Sequence, residues 1–294
     1  MPGRFLNSHG ALRASANQAG RTNQPNRQAL FKYPYQFGYN KIPRLIAAPQ
    51  PSMERKYMDL LNPLFEYWVQ APLVIALAIS TLSNITIYLL TALILSLLIK
   101  HAVERKSIGS YIDNRNLKPN QIRQEFKNGL VACVVLAICS LFTRGLFNGI
   151  WPASLSALLL QIASFIIFYE TYSYFVHRLL HTKLLTKFHS VHHSSVRVTP
   201  WSAYSVHPIE AAMIGLSAPL FMSLLPLSLG VALILHISGM MFTILLHSNY
   251  QYSSSASLLS NLFSYSNYHS RHHQLGNANY SFVHRFWDYV FKTN

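Results

Sequence analysis

The chain has 294 residues, 51% of them hydrophobic and only 11% charged, enough for one domain with a full apolar core. Its formal charge of +15 reflects a shortage of acids: the nine carboxylates are Glu54, Asp59, Glu66, Glu104, Asp113, Glu125, Glu170, Glu210 and Asp288. So few acids exclude a ferritin-like carboxylate metal site, which needs several glutamates and paired Glu-x-x-His motifs. Two cysteines inside one apolar run, Cys133 and Cys139, exclude a disulfide framework and a thiolate metal site.

Residues 1–52 contain no Asp or Glu and are rich in Arg, Asn, Gln, Ser and Pro, so they read as a disordered basic tail. The aromatic, basic stretch KYPYQFGYNK (Lys32 to Lys41) stands beside membrane segments. Its expected partner is therefore anionic lipid and not nucleic acid. A second region, 53–127, holds a first membrane segment and a basic loop; a third, 128–294, holds the remaining apolar runs and most of the histidines. Apolar runs long enough to cross a hydrocarbon core, which takes about 20 residues, occur at Pro72 to Ile99, Gly129 to Ile150, Leu155 to Val176 and Ala211 to Leu246. The last is long enough for two short helices and is broken by Pro226 and Gly230, which suit the tip of a helical hairpin. The expected fold is all-α, a polytopic membrane helical bundle with a His-rich cap. After Glu104 the chain makes two hairpins, with Trp151 and Pro226 near the far-side tips. The run Pro72 to Ile99 is left open between a single crossing and a re-entrant passage.

Most of the fourteen histidines gather at helix ends. The third run leads into His177-Arg-Leu-Leu-His181, whose i, i+4 spacing puts both imidazoles on one helical face. His-x-x-His-His then appears twice, as His189, His192, His193 and as His269, His272, His273, each read as a small concave array of nitrogen donors. His247 closes the fourth run. A single histidine in a helix is usually a hydrogen-bonded packing residue, but buried imidazoles near lipid need partners or cost several kcal/mol. Eight of them in ligand-spaced clusters call for metal. The hairpins bring all the clusters to one face, and the basic loop His101 to Lys127 makes that face cytosolic by the positive-inside rule.

Imidazole suits zinc, copper, iron and nickel, and eight or nine ligands exceed what one ion takes, so the count implies two ions. No His-Glu-x-x-His motif is present. A nearly all-histidine dinuclear site at a membrane surface points to oxidation of a lipid. Breaking an unreactive C–H bond needs an oxidant made from dioxygen, which iron can supply and side chains cannot.

The ordered motifs HRLLH, HSVHH, HPIE (His207 to Glu210), HSNY (His247 to Tyr250), HSRHH, NANYSF and FWDYVFKT resemble those of the fatty acid hydroxylase and sterol desaturase superfamily, over roughly residues 164–293. The resemblance implies an integral membrane, non-haem di-iron oxygenase that hydroxylates or desaturates sterols, fatty acyl chains or related lipids, with dioxygen as co-substrate. It names His177, His181, His189, His192, His193, His269, His272 and His273 as iron ligands, with His247 added by HSNY. Electrons are expected from a separate donor of the cytochrome b5 or ferredoxin type with its reductase. The expected location is the endoplasmic reticulum or a bacterial inner membrane. Two departures stand out: ceramide-type hydroxylases carry a further histidine where this chain has Thr243, and Lys292 replaces a usual Gly.

Several positions remain. Glu170, seven residues before His177 on the same face, and Glu210 are the candidate catalytic-site carboxylates, placed to orient ligand imidazoles. His207 is the candidate tenth ligand, while His236 lies about 16 Å from His247 along a helix axis and is expected to be a hydrogen-bonded or substrate-slot residue. His9, His101 and His284 lie outside the boxes. Two other classes compete. A divalent-metal transporter would hold its ligands near the bilayer midplane, and a bis-His haem electron carrier has no use for two triplets.

Overall fold

The computed structural model describes residues 52–252 and 257–294; the basic tail before Ser52 and His9 within it lie outside the described residues. Among the described residues ten α-helices carry the architecture: α1 (Ser52–Gln70), α2 (Leu73–Lys100), α3 (Gln121–Leu141), α4 (Leu155–Leu180), α5 (Thr186–His193), α6 (Pro208–Gly215), α7 (Ser217–Leu224), α8 (Leu229–Leu246), α9 (Leu258–Leu275) and α10 (Phe286–Phe291). The fold is all-α and polytopic. Four helical stretches, Leu73–Arg105, Gln121–Gly145, Leu155–Leu180 and Leu229–Leu246, are long and apolar enough to cross a membrane. Their outward residues are large and greasy, such as Val74, Leu160 and Ile167, as expected of a surface solvated by lipid tails.

The Ala211 to Leu246 run does fold back on itself. Its first limb is the broken pair α6–α7, because Pro219 has no N–H to give to Gly215 and the helix restarts at Ser217. Its second limb is α8. The tip joins the turn between α3 and α4 through main-chain bonds: Asn148 N to Leu227 O (2.9 Å), Leu229 N to Gly149 O (3.0 Å) and Gly230 N to Ile150 O (2.8 Å). Trp151 lies over this junction and donates to Asn62 of α1 (2.7 Å). Arg144 donates to the carbonyls of Val69 and Ala71 (2.6 Å to the latter), which places the start of α2 at the same end. At the other end Tyr250, just past α8, donates to Ile108 O (3.0 Å), beyond the end of α2. The Pro72 to Ile99 run therefore passes once along the bundle from the tip end to the histidine end.

Two devices hold the histidine end in register. Antiparallel two-residue strands β1 (Ser110–Tyr111) and β2 (Tyr250–Gln251) pair the loop after α2 with the segment after α8. Asn249, at φ +53, accepts from Asp113 N (2.8 Å) and donates to Asp113 O (2.9 Å). Inside the bundle, small residues let helices approach: Tyr88 of α2 packs where a Cβ on Gly129 would stand 2.4 Å from its hydroxyl, and it donates to Trp201 O (2.8 Å). His236 of α8 is hydrogen-bonded to Asn84 Oδ1 (2.9 Å), and Asn84 donates to Cys133 O (3.2 Å), so one polar chain ties α8, α2 and α3. Cys133 and Cys139 are free and buried.

Gly230 is the tightest point of the junction, since a Cβ there would fall 2.2 Å from the Trp151 ring. Gly230→Ala is expected to destabilise the fold by about 1–3 kcal/mol through overpacking. Gly239→Ala, with nothing within 4 Å of its Cβ position, is expected to be neutral or stabilising. Thermal unfolding in detergent compares the two, and equal behaviour would mean that the tip junction does not form.

Candidate metal centre

The last turn of α4 supplies His177 and His181, α5 supplies His189, His192 and His193, the end of α8 supplies His247, and α9 supplies His269, His272 and His273. These nine rings form two groups. His177, His181, His189, His193 and His272 bring one nitrogen each to within 4.8 Å of one another, and so do His192, His247, His269 and His273. The repeated triplet thereby acquires a geometric meaning. In α5 the i, i+4 pair His189/His193 serves the first group and His192 the second; in α9 the pair His269/His273 serves the second group and His272 the first. Each triplet is divided between two points and is not one concave array.

Main-chain carbonyls fix the protons. Tyr280 O accepts from His177 Nδ1 (2.8 Å), Ala278 O from His272 Nδ1 (2.6 Å) and Thr243 O from His247 Nδ1 (2.8 Å). A carbonyl oxygen only accepts, so in a neutral ring the proton sits on Nδ1 and Nε2 keeps its lone pair. Those lone pairs crowd together: His272 Nε2 lies 3.2 Å from His181 Nε2 and 3.1 Å from His193 Nε2, and His247 Nε2 lies 3.3 Å from His192 Nε2 and 3.0 Å from His269 Nε2. Each acceptor Nε2 of His272 and His247 needs a proton from the neighbouring ring or a cation in its place, and a metal ion can serve several of these nitrogens at once. The donor set fits a pair of first-row transition-metal ions, for which neutral imidazole is a normal ligand.

Burial keeps the rings neutral. It lowers the affinity of His181 and His247 for a proton to a pKa of about 4, and burial together with neighbouring imidazoles takes His193 to about 3 and His189 to about 2. His192, His269, His272 and His273 are shifted in the same direction for the same reasons.

The candidate carboxylates divide. Glu210, 3% exposed, places Oε1 2.9 Å from His189 Nδ1, although the two are not aligned as a straight hydrogen bond. Glu170 is placed elsewhere: its Oε2 accepts from the backbone amides of His284 (2.9 Å) and Val283 (3.3 Å), so it holds the C-terminal segment against α4 and orients no imidazole. His207 also stands apart from both groups. It is the N-cap of α6, with Nδ1 accepting from Ile209 N (3.2 Å) and its ring packed on Phe188. The preference of a Pro-initiated helix for a capping acceptor explains its place. At Thr243, the position of the further family histidine, the carbonyl orients His247 and the hydroxyl donates to Gly239 O (2.9 Å), which leaves the second group with four imidazoles.

Glu125 was not among the sequence candidates. Although 1% exposed, it accepts from Gln121 (2.7 Å), Ser195 (2.7 Å) and Thr199 (2.6 Å), and so pins the segment that follows α5. A carboxylate at the head of an apolar helix was the available signal. A narrow cavity reaches His177, His189, His192 and His247 and is lined further by Tyr169, Val176, Tyr204, Ile214, Thr243 and Phe282. A wider concavity at Ile112, Asp113, Arg115 and Gln274 is open to solvent and touches none of the histidines.

Fold and site together describe an all-α, polytopic membrane protein with two clusters of histidines, each of which could hold a metal ion. The sequence model of the fatty acid hydroxylase family matches residues 162–293. Among the relatives, lathosterol oxidase of Homo sapiens is 28% identical over 183 residues, covering 58% of this chain and 60% of that protein. Delta(7)-sterol 5(6)-desaturase of Leptosphaeria maculans is 30% identical over 44% of this chain and 35% of its own length. Methylsterol monooxygenase 1 of Gallus gallus is 31% identical over 42% and 43%. The matched stretch thus spans from about a third to three fifths of those relatives. No solved structure matches the chain. Over residues 162–293 the chain is thus similar to the fatty acid hydroxylase family, and its relatives include sterol oxidases, desaturases and a methylsterol monooxygenase.

An unfolded histidine takes up its proton near pH 6.5. In the folded metal-free protein the cluster rings hold out to much lower pH. Below about pH 6.5 the unfolded chain therefore binds more protons and stability falls; above it the contribution is fully present. The unfolding midpoint of the metal-free protein is expected to be flat from pH 7 to 8 and to drop progressively as pH falls through 6 and 5. A midpoint that rises on acidification would mean that the rings are not buried and neutral.

Proposed function

We propose that the protein is a membrane oxidoreductase that hydroxylates or desaturates a lipid, of the sterol type named by its relatives, using two iron ions, dioxygen and electrons from a separate donor. The observation that carries this reading is the convergence of nine neutral imidazoles, in two groups, beside a cavity walled by apolar helices. Iron held by such ligands supplies reduction of dioxygen to an oxidant able to break an unactivated C–H bond. His177, His181, His189, His193 and His272 would hold one ion, and His192, His247, His269 and His273 the other. Residues 128–294 form the catalytic region in this reading.

The chain's own residues do the rest. The carbonyls of Tyr280, Ala278 and Thr243 keep protons on Nδ1 and present Nε2 inward. Glu210 stands at the Nδ1 side of His189 and favours a proton there. Val176, Ile214 and Phe282 give the cavity beside the histidines apolar walls, against which the reacting carbon of a lipid would lie, and Tyr169, Tyr204 and Thr243 line the same cavity. Exposed Lys118, Lys183, Lys187 and Arg271 on the histidine side suit an acidic electron donor, of the cytochrome b5 or ferredoxin type, approaching from the cytosol. The rival haem reading is disfavoured by Nε2 atoms 3.0–3.3 Å apart, which leave no gap for a macrocycle.

The test joins metal analysis to lipid chemistry. Purified protein is expected to hold two irons per chain, His247→Gln to lose iron and His236→Gln to keep it, and a host expressing the gene to gain an oxidised lipid that it lacks otherwise. Stoichiometric zinc in an active preparation, or full turnover by His192→Ala, would contradict the reading.

A further inference from the structure

We propose that Asp288 is a positioning residue for one metal ion alone, acting through the backbone of residues 278–281. The inference rests on the two-ion reading above. Two of the five rings in the first group are aimed by main-chain carbonyls that lie two residues apart, Ala278 O on His272 Nδ1 and Tyr280 O on His177 Nδ1. Between them Asn279 takes φ +61, which turns the chain, while its N–H donates to Thr293 O (2.6 Å) and its side chain to Tyr268 O (3.3 Å).

Asp288 holds this segment in place. Its side chain is fully buried, with the residue at 0% exposure. Its Oδ1 accepts from Tyr280 N (3.0 Å) and Thr293 Oγ1 (2.7 Å); its Oδ2 accepts from Ser281 N (2.8 Å) and the Tyr268 hydroxyl (2.8 Å). All four donors are neutral, and they come from α9, from the segment itself and from the C-terminus. Thr293 in turn meets the Tyr174 hydroxyl (3.0 Å), one turn before His177 on α4. One carboxylate therefore fixes the distance between the carbonyl-bearing segment and both helices whose imidazoles it aims.

The second group has nothing comparable. His247 is oriented from its own helix by Thr243 O, and the Nδ1 atoms of His192, His269 and His273 are buried with no hydrogen-bond partner among the described residues. Loss of the Asp288 network should thus loosen the first ion and spare the second. An Asn at 288 keeps an acceptor for Tyr280 N but points an NH2 at Ser281 N–H, two donors face to face, and so pushes the segment away.

The experiment counts iron on full-length protein in detergent, loaded anaerobically with iron(II) and titrated with a chelator. Wild type is expected to hold two ions. Asp288→Asn is expected to give up one ion at about 10- to 100-fold lower chelator strength, the usual cost of losing an outer partner of a metal ligand, and to hold the other as wild type does. At the chelator concentration where that variant keeps one ion, adding His247→Gln should remove it and adding His177→Gln should change nothing. Asn279→Val, which strains the φ +61 turn without touching the carboxylate, should reproduce the selective loss and decides the matter if Asp288→Asn does not fold. Retention of both ions at wild-type strength, or release of both together, overturns the role of Asp288. Wild type that binds no iron overturns the two-ion reading itself, and the inference with it.

Discussion

Nine imidazoles bring one nitrogen each to two points inside this protein, and much of the fold serves that crowding. Nitrogens 3.0–3.3 Å apart can share a proton in pairs; a metal ion among them would tie several helices together at once. The scaffold answers to this constraint. Helices α4 and α8 end at one level, α5 and α9 lie across that level, and the hairpin tips at Asn148–Ile150 and Leu227–Gly230 lock together at the opposite end. The long apolar helices set the height of the metal centre, and the short ones supply its walls.

The scarce acids have been placed where they shape this centre. Among the described residues five acids are buried: Asp113 pairs with Arg115, whereas hydroxyls, amides or an imidazole meet Glu125, Glu170, Glu210 and Asp288 where a lysine or arginine would be the usual partner. A buried carboxylate that accepts several neutral hydrogen bonds is an anchor of fixed geometry. Glu125 anchors the chain after α5, Glu170 the loop against α4, and Asp288 the segment that aims two ligands. On the histidine side the cations Lys118, Lys183, Lys187 and Arg271 are exposed.

Much of this was legible in the sequence because it follows from local rules. Run length gave the crossing helices, Pro226 and Gly230 gave the hairpin tip, and the count of clustered histidines gave more ligands than one ion takes, which the fold gathers in two groups. The division of each triplet was not legible. Helical spacing puts His189 and His193 on one face, but it does not say that His192 will meet His247 and His273, since that depends on how α5, α8 and α9 cross. Glu170 and His207 show the same limit. Glu170 shares a face with His177, yet it is claimed by amides more than a hundred residues away, and His207 precedes Pro208, so its nearest demand is a helix cap. Lys292 is the reverse case: its φ of +51 is a conformation that Gly adopts at no steric cost, a backbone feature that no side-chain pattern carries.

The most direct measurement is anomalous scattering at the iron edge from crystals of the iron-loaded protein. Two peaks are predicted, one ringed by His177, His181, His189, His193 and His272 and the other by His192, His247, His269 and His273. A single peak, or a peak ringed by all three histidines of one triplet, would contradict the account.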